Sequence, residues 1–226
     1  MERRSSLAVV VVAFLAVWLV ACSSKSGAGS GTSSSPTPTP TGPLTGYVLT
    51  SAEASSAGPH VEERLSLNGQ GLADLTLAGT CNSQTFPSEQ KRADRLQVDY
   101  IDPQQKALVD SNEFVKYESG GGAQAYAELK AAVAHCPKTM TQTNNDKLSN
   151  VTVVTNVPAG LSANTVILSM TNTQHAGPVV GQVFIFQFDG DYFDGLYVFR
   201  LNVADALHDA AALGKLAAAH LKAAAG

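Results

Sequence analysis

Histidines, cysteines and one acidic run carry most of the chemical potential of this 226-residue sequence. The five histidines, His60, His135, His175, His208 and His220, lack ligand spacing; His208 and His220 stand 12 positions apart, too far along a helix to share one ion. Asp189, Asp191 and Asp194 place carboxylates close enough in sequence to converge on a hard cation. Phe193 at the fifth position, Asp194 where a glycine is needed and Arg200 where the closing glutamate belongs break the calcium-loop pattern, so the run reads as hairpin-turn residues. Neither a G-x-S-x-G elbow nor an H-E-x-x-H pair is present. The expectation is a chain with no catalytic residues, no metal and no cofactor. A hydrolase reading would require a Ser-His-Asp or paired-carboxylate cluster assembled by the fold.

The three cysteines, Cys22, Cys81 and Cys136, divide by position. Ahead of Cys22 stand Arg3 and Arg4, then an uncharged run of 15 residues from Leu7 to Ala21. That is the layout of an export signal, and it is shorter than the roughly 20 residues a membrane-spanning helix needs. Leu19-Val20-Ala21-Cys22 resembles the lipobox of bacterial lipoproteins, in which the cysteine thiol receives diacylglycerol and the preceding segment is removed. Residues 1–21 are therefore expected to be a signal peptide and Cys22 the lipidation site, with several acyl chains making membrane attachment durable. The competing reading is an ordinary signal peptide, or a short transmembrane helix, with a coincidental cysteine.

From Ser23 to Pro43 the chain is Ser, Gly, Thr, Pro, Ala and one Lys, with no large apolar side chain to bury. Residues 22–43 are expected to form a disordered tether, stiffened at Pro36-Thr37-Pro38-Thr39-Pro40 toward an extended polyproline form. Residues 44–226 are long enough for one domain with its own core. Without Glu2, Arg3 and Arg4 the chain keeps 13 basic and 18 acidic residues, a net charge of −5, which points away from nucleic acid. Outside the cytoplasm, with Cys22 lipidated, Cys81 and Cys136 remain as an even pair expected to form a disulfide.

Positioning falls to elements that the periodicity marks unevenly. Tyr47-Val48-Leu49 is a possible strand, and a short helix is expected near Leu72–Ala78. Leu96, Val98 and Tyr100 alternate with Gln97 and Asp99, predicting a half-buried strand over Arg95–Asp102; Asn112–Glu118 gives a second. Tyr126, Leu129, Ala132 and Val133 fall at helical spacing in Ala123–His135, ended by Cys136-Pro137. Strands are expected at Val151–Thr155, Thr165–Thr171, Val179–Phe188 and Leu196–Val203. The last two form a central antiparallel hairpin joined through Asp189-Gly190 and Asp194-Gly195. Ala204–Ala225 is rich in alanine and leucine and predicts a terminal helix packed on the sheet. The result is an α+β domain of about six strands with a mid-chain and a C-terminal helix.

Cys81 followed by Phe86-Pro87-Ser88-Glu89, Arg92 and Arg95 leading into a strand, Asn112-Glu113-Phe114-Val115, Gly120-Gly121-Gly122-Ala123 and a helix closed by Cys136-Pro137 resemble an actinobacterial group of extracytoplasmic lipoproteins. These in turn are similar to the PknH-like extracellular sensor domain, over roughly residues 78–205. The resemblance implies a curved antiparallel sheet with helices on one face, a cleft, and a sensing or binding role toward an unidentified ligand. The chain departs from it in offering one disulfide where the kinase sensor has two, and in lacking a kinase segment.

The functional expectation is a lipid-anchored protein on the extracytoplasmic face of the cell membrane, with a non-catalytic domain that binds an unknown small molecule. Arg92, Arg95, Tyr100 and Tyr117 are the candidate polar lining of a cleft between sheet and helices. The alternative is an envelope protein-interaction or scaffold lipoprotein working through an exposed apolar patch.

Overall fold

The computed structural model describes residues 40, 42–68, 77, 80–82, 86–141, 146–175 and 177–226. All of them fall within one compact unit, Pro36–Gly226. Cys22, residues 1–21, most of the expected tether and, apart from the buried Leu77, the expected helix at Leu72–Ala78 lie outside the described residues.

Among the described residues eight strands form one antiparallel sheet in the order β1-β2-β3-β8-β7-β6-β5-β4. They are β1 (Glu62–Asn68), β2 (Arg92–Asp102), β3 (Ala107–Tyr117), β4 (Thr139–Thr141), β5 (Lys147–Val153), β6 (Asn164–Thr173), β7 (Val179–Asp189) and β8 (Tyr192–Arg200). The expectation of about six strands is corrected to eight. The six with an apolar pattern are present; the two added, β1 and β4, are the sheet's edges. An edge strand has one neighbour and little burial to enforce alternation, and β4 is only Thr-Met-Thr. The possible strand at Tyr47–Leu49 is instead a 3-10 turn, Thr45–Tyr47, closed by Tyr47 N–H donating to Leu44 O at 3.0 Å.

The α-helices among the described residues are α1 (Ser51–Ala54), α2 (Gly121–Val133) and α3 (Val203–Ala225). The implied placement of helices on one face is also corrected, because α2 and α3 cover opposite faces. Side chains alternate along a strand, so β7 sends Val183 and Ile185 to the α3 side and Phe186 and Phe188 to the α2 side, all buried. A strand apolar on both faces must be covered on both, and one helix cannot do that.

On its buried stripe α3 presents Ala206, Ala210, Leu213, Ala217 and Leu221, spaced by three or four residues. Asn202 caps its start, Oδ1 accepting from Asp205 N–H at 2.9 Å. The N-terminus of α2 is seated on the β7–β8 turn, where Gly122 N–H donates to Asp191 Oδ1 at 3.3 Å. A Cβ on Gly122 would lie 2.3 Å from the Gly190 carbonyl oxygen, so the glycine run permits this close approach. Asp191 thus serves as a turn and capping residue, whereas Asp194 and Gly195, expected in the turn, lie within β8, where Asp194 is buried. Beyond the end of α2, Cys136 is joined to Cys81 by a disulfide.

Candidate functional site

The four residues singled out in the sequence do not converge. Arg92, Arg95 and Tyr117 lie on the α2 side and are buried in an ionic network. Arg95 Nε contacts Glu113 Oε1, and Arg95 Nη2 donates to Gln97 Oε1 at 3.0 Å. Tyr197 O–H donates to Glu113 Oε2 at 2.9 Å. Arg92 Nε lies 3.4 Å from Glu89 Oε2, and Tyr117 O–H approaches Glu89 Oε1 at 3.5 Å. Burial holds the Tyr117 and Tyr197 hydroxyls well above the ordinary phenol range, with the neighbouring carboxylates adding to it. Each arginine already has a carboxylate in a layer that excludes water, so an incoming anion would have to displace an internal one. Tyr100 points to the opposite face, where its hydroxyl donates to Leu49 O.

That contact leads to a different site. The segment Gly42–Ala57 lies over the α3 side of the sheet, fastened by side chains from four strands and a helix: Glu63, Tyr100, Asn112, Arg200 and His220. Leu49 N–H donates to Asn112 Oδ1 at 2.8 Å, and Asn112 Nδ2 donates to Asp194 Oδ2 at 2.8 Å. His220 of α3 lies 2.9 Å from Glu53 Oε1 through Nε2 and 3.2 Å from Gly46 O through Nδ1. Burial works to raise the Glu53 carboxyl, but the Thr50 backbone, His220 and Thr50 hydroxyl contacts outweigh it and hold it below its usual value.

Between this segment and strands β2, β3 and β8 lies a groove of about 380 Å³, lined by Pro43, Leu44, Tyr47, Asp94, Lys116 and Tyr192. That volume is within the roughly 300–1,000 Å³ of small-molecule sites. Its wall is an aromatic stack: Tyr47 packs on the buried Phe114 at 5.4 Å between ring centroids, and Phe114 reaches Tyr192 at 6.0 Å. Lys116 Nζ sits 5.8 Å from the centre of the Tyr192 ring. Asp94 stands directly opposite Lys116 in the β2–β3 register, and its Oδ1 accepts from Arg95 N–H at 2.8 Å.

Two buried carboxyls flank the segment. Asp194 is fully buried; burial, opposed by Asn112 and His220, pushes its carboxyl up to about 7. Asp110 is raised by burial against the pull of Arg200, whose guanidinium is itself raised by Asp110 and Asp209. The contacts, 3.0 Å to Asp110 and 2.6 Å to Asp209, place one guanidinium between two carboxylates and favour the ionised pair at neutral pH. Among the described residues no group of three or more His, Cys, Asp or Glu side chains is placed to hold a metal.

The groove residues escaped the sequence because their convergence is set by a register irregularity. Between Arg92 and Asp94 one extra residue, Ala93, sits in β2, turning Arg92 to the α2 side with Tyr117 and leaving Asp94 on the α3 side with Lys116. No sequence signal marks that bulge. This groove lies between the sheet and the N-terminal segment and not between sheet and helices as expected, and none of Arg92, Arg95, Tyr100 or Tyr117 lines it.

No family model matches the chain, and no curated protein does. The fold is similar to the crystal structure of the extracellular domain of PknH from Mycobacterium tuberculosis, with a TM-score of 0.50 and 10% sequence identity, over 76% of this chain and 92% of that one. The chain therefore shares the fold of a PknH-like extracellular domain, as its residues implied. At this identity the likeness defines architecture, and function must be argued from the site.

Proposed function

We propose that this chain is a lipoprotein anchored through Cys22 to the extracytoplasmic face of the cell membrane, whose α+β domain binds a small molecule without transforming it. The groove under the N-terminal segment carries this reading: an aromatic wall and two opposite charges border a volume suited to a small ligand. The similarity to an extracellular domain supports the compartment, as does the disulfide, a bond favoured in oxidising surroundings. Among the described residues no helix is long and apolar enough to cross a membrane.

Two measurements on protein recovered from the membrane fraction test it. Intact mass should show a lipid-sized increment and loss of residues 1–21, both abolished in Cys22→Ala; an unmodified Cys22 with residues 1–21 retained would overturn the anchor. Native mass spectrometry should show a co-purifying small molecule that Tyr192→Ala releases; a ligand-free chain would overturn the binding role. The alternative, an envelope protein-interaction lipoprotein, draws support from Leu201, 81% exposed, and Val179, 53% exposed, at one end of the β7–β8 hairpin.

A further inference from the structure

The groove holds a pair of opposite charges that are kept apart. Asp94 and Lys116 occupy directly opposed positions on adjacent strands and face the same side, an arrangement that brings Cβ atoms within about 5.5 Å and ordinarily favours a cross-strand ion pair. Here the two side chains diverge. Lys116 extends over the Tyr192 ring, at 5.8 Å from its centre, and Asp94 is drawn back to the Arg95 backbone at 2.8 Å. Among the described residues the ion pairs within 4.0 Å involve neither. Both line the same volume of about 380 Å³, together with Tyr47 and Tyr192.

We infer that this groove takes a small zwitterion, its ammonium held by Asp94 and the tyrosine faces and its anionic group held by Lys116. This rests on the binding role proposed above and names the ligand class for that same site. A ligand with one charge would satisfy one side chain and leave the other facing an apolar group. A ligand with both would complete two charge-assisted contacts at once. Aromatic faces favour an ammonium through the ring quadrupole, and Tyr47, fixed by stacking on Phe114, presents such a face without further ordering. The same chemistry has two sources: the termini of a free amino acid or short peptide, and the headgroup of a zwitterionic phospholipid. Pro43 lies at the groove rim and at the end of the proposed tether, so both sources are within reach.

The test is ¹H–¹⁵N correlation spectroscopy on the purified full chain in non-ionic detergent, titrated with glycylglycine, phosphocholine, propylamine and propionate. The expected result is a saturable shift of the Tyr47, Lys116 and Tyr192 amides with a zwitterion, weaker by about tenfold with either singly charged probe. Asp94→Asn and Lys116→Gln should each weaken zwitterion binding by about tenfold while leaving the remaining amide positions unchanged. Preference for glycylglycine would assign a free amino acid or peptide, and preference for phosphocholine a headgroup. Equal binding of the singly charged probes, indifference to both substitutions, or silence toward both zwitterions would overturn the inference. If the zwitterions are silent while a Tyr192-dependent molecule still co-purifies, only the ligand class fails and the binding role stands.

Discussion

Asn112 donates from Nδ2 to Asp194 Oδ2 at 2.8 Å, joining β3 to β8 in a layer where both residues are fully buried. The same amide accepts from Leu49 N–H, so one side chain links a carboxyl buried beneath the sheet's covering segment to the backbone of that segment.

This relationship gives the fold a pH dependence of defined sign. The Asp194 carboxyl is raised to about 7 in the fold, against about 3.9 in an unfolded chain. Between those values the folded state binds the extra proton, so the contribution of Asp194 to stability is fully present below about pH 4 and is lost as pH rises through 7. Denaturation midpoints at pH 5 and pH 8 should therefore differ more in the wild type than in Asp194→Asn, the wild type being relatively weaker at pH 8. Identical pH dependence in the two proteins would show that Asp194 is ionised throughout.

The α2 side makes a separate prediction. Glu113 receives Arg95 and the Tyr197 hydroxyl in a layer where the Arg95 and Glu113 side chains are 5% and 2% exposed. Removing one partner of a buried pair strands the other charge, so Glu113→Ala should lower unfolding free energy by about 3 kcal/mol. Tyr197→Phe, which deletes one hydrogen bond and keeps the ring among Phe184 and Phe186, should lose about 1 kcal/mol. Urea titration reads both, and a loss of similar size in the two variants would deny Glu113 its role at the centre of this network.

How far the sequence carries varies with the physics of each element. Phe184, Phe186 and Phe188 against Val183 and Ile185 state plainly that β7 is covered on both faces, whereas the alanine- and leucine-rich run marks α3 as a helix without marking its stripe: Ala206, Ala210 and Ala217 are buried and Leu207 is exposed. Edge strand β4 is silent because three polar residues with one neighbour obey no burial pattern. Arg92 and Tyr117 read as polar lining of a cleft, because nothing in the sequence marks that Glu89 engages both inside the fold. Asp94 and Lys116 were invisible as a pair, since only the bulge at Ala93 and the register that follows place them together.

The cross-link between Cys81 and Cys136 closes a separation of 55 residues. The chain-entropy treatment assigns about 4 kcal/mol to a loop of that size, mainly by restricting the unfolded chain. Cys81→Ser with Cys136→Ser should accordingly lower stability by about that amount, and reductant should weaken the wild type while leaving the double variant unchanged. A wild type insensitive to reductant would place the stability of this region in the packing of α2.

Two glycines with different surroundings separate steric need from simple chain flexibility. At Gly122 an added Cβ would meet Gly190 O at 2.3 Å and the Asp191 Cα at 2.8 Å, both backbone atoms that no side-chain rotation relieves. Gly122→Ala must therefore push α2 away from the β7–β8 turn and stretch the contact from Gly122 N–H to Asp191, with a loss of about 1–3 kcal/mol typical of overpacking. At Gly46 nothing lies within 4 Å of the added atom, and the backbone avoids the left-handed region. Gly46→Ala should be neutral or stabilising by about 0.4–1 kcal/mol, because the unfolded chain loses freedom that the fold never used. Parallel thermal melts of the two variants measure the contrast, and equal losses at both positions would mean that α2 can move off the hairpin without strain.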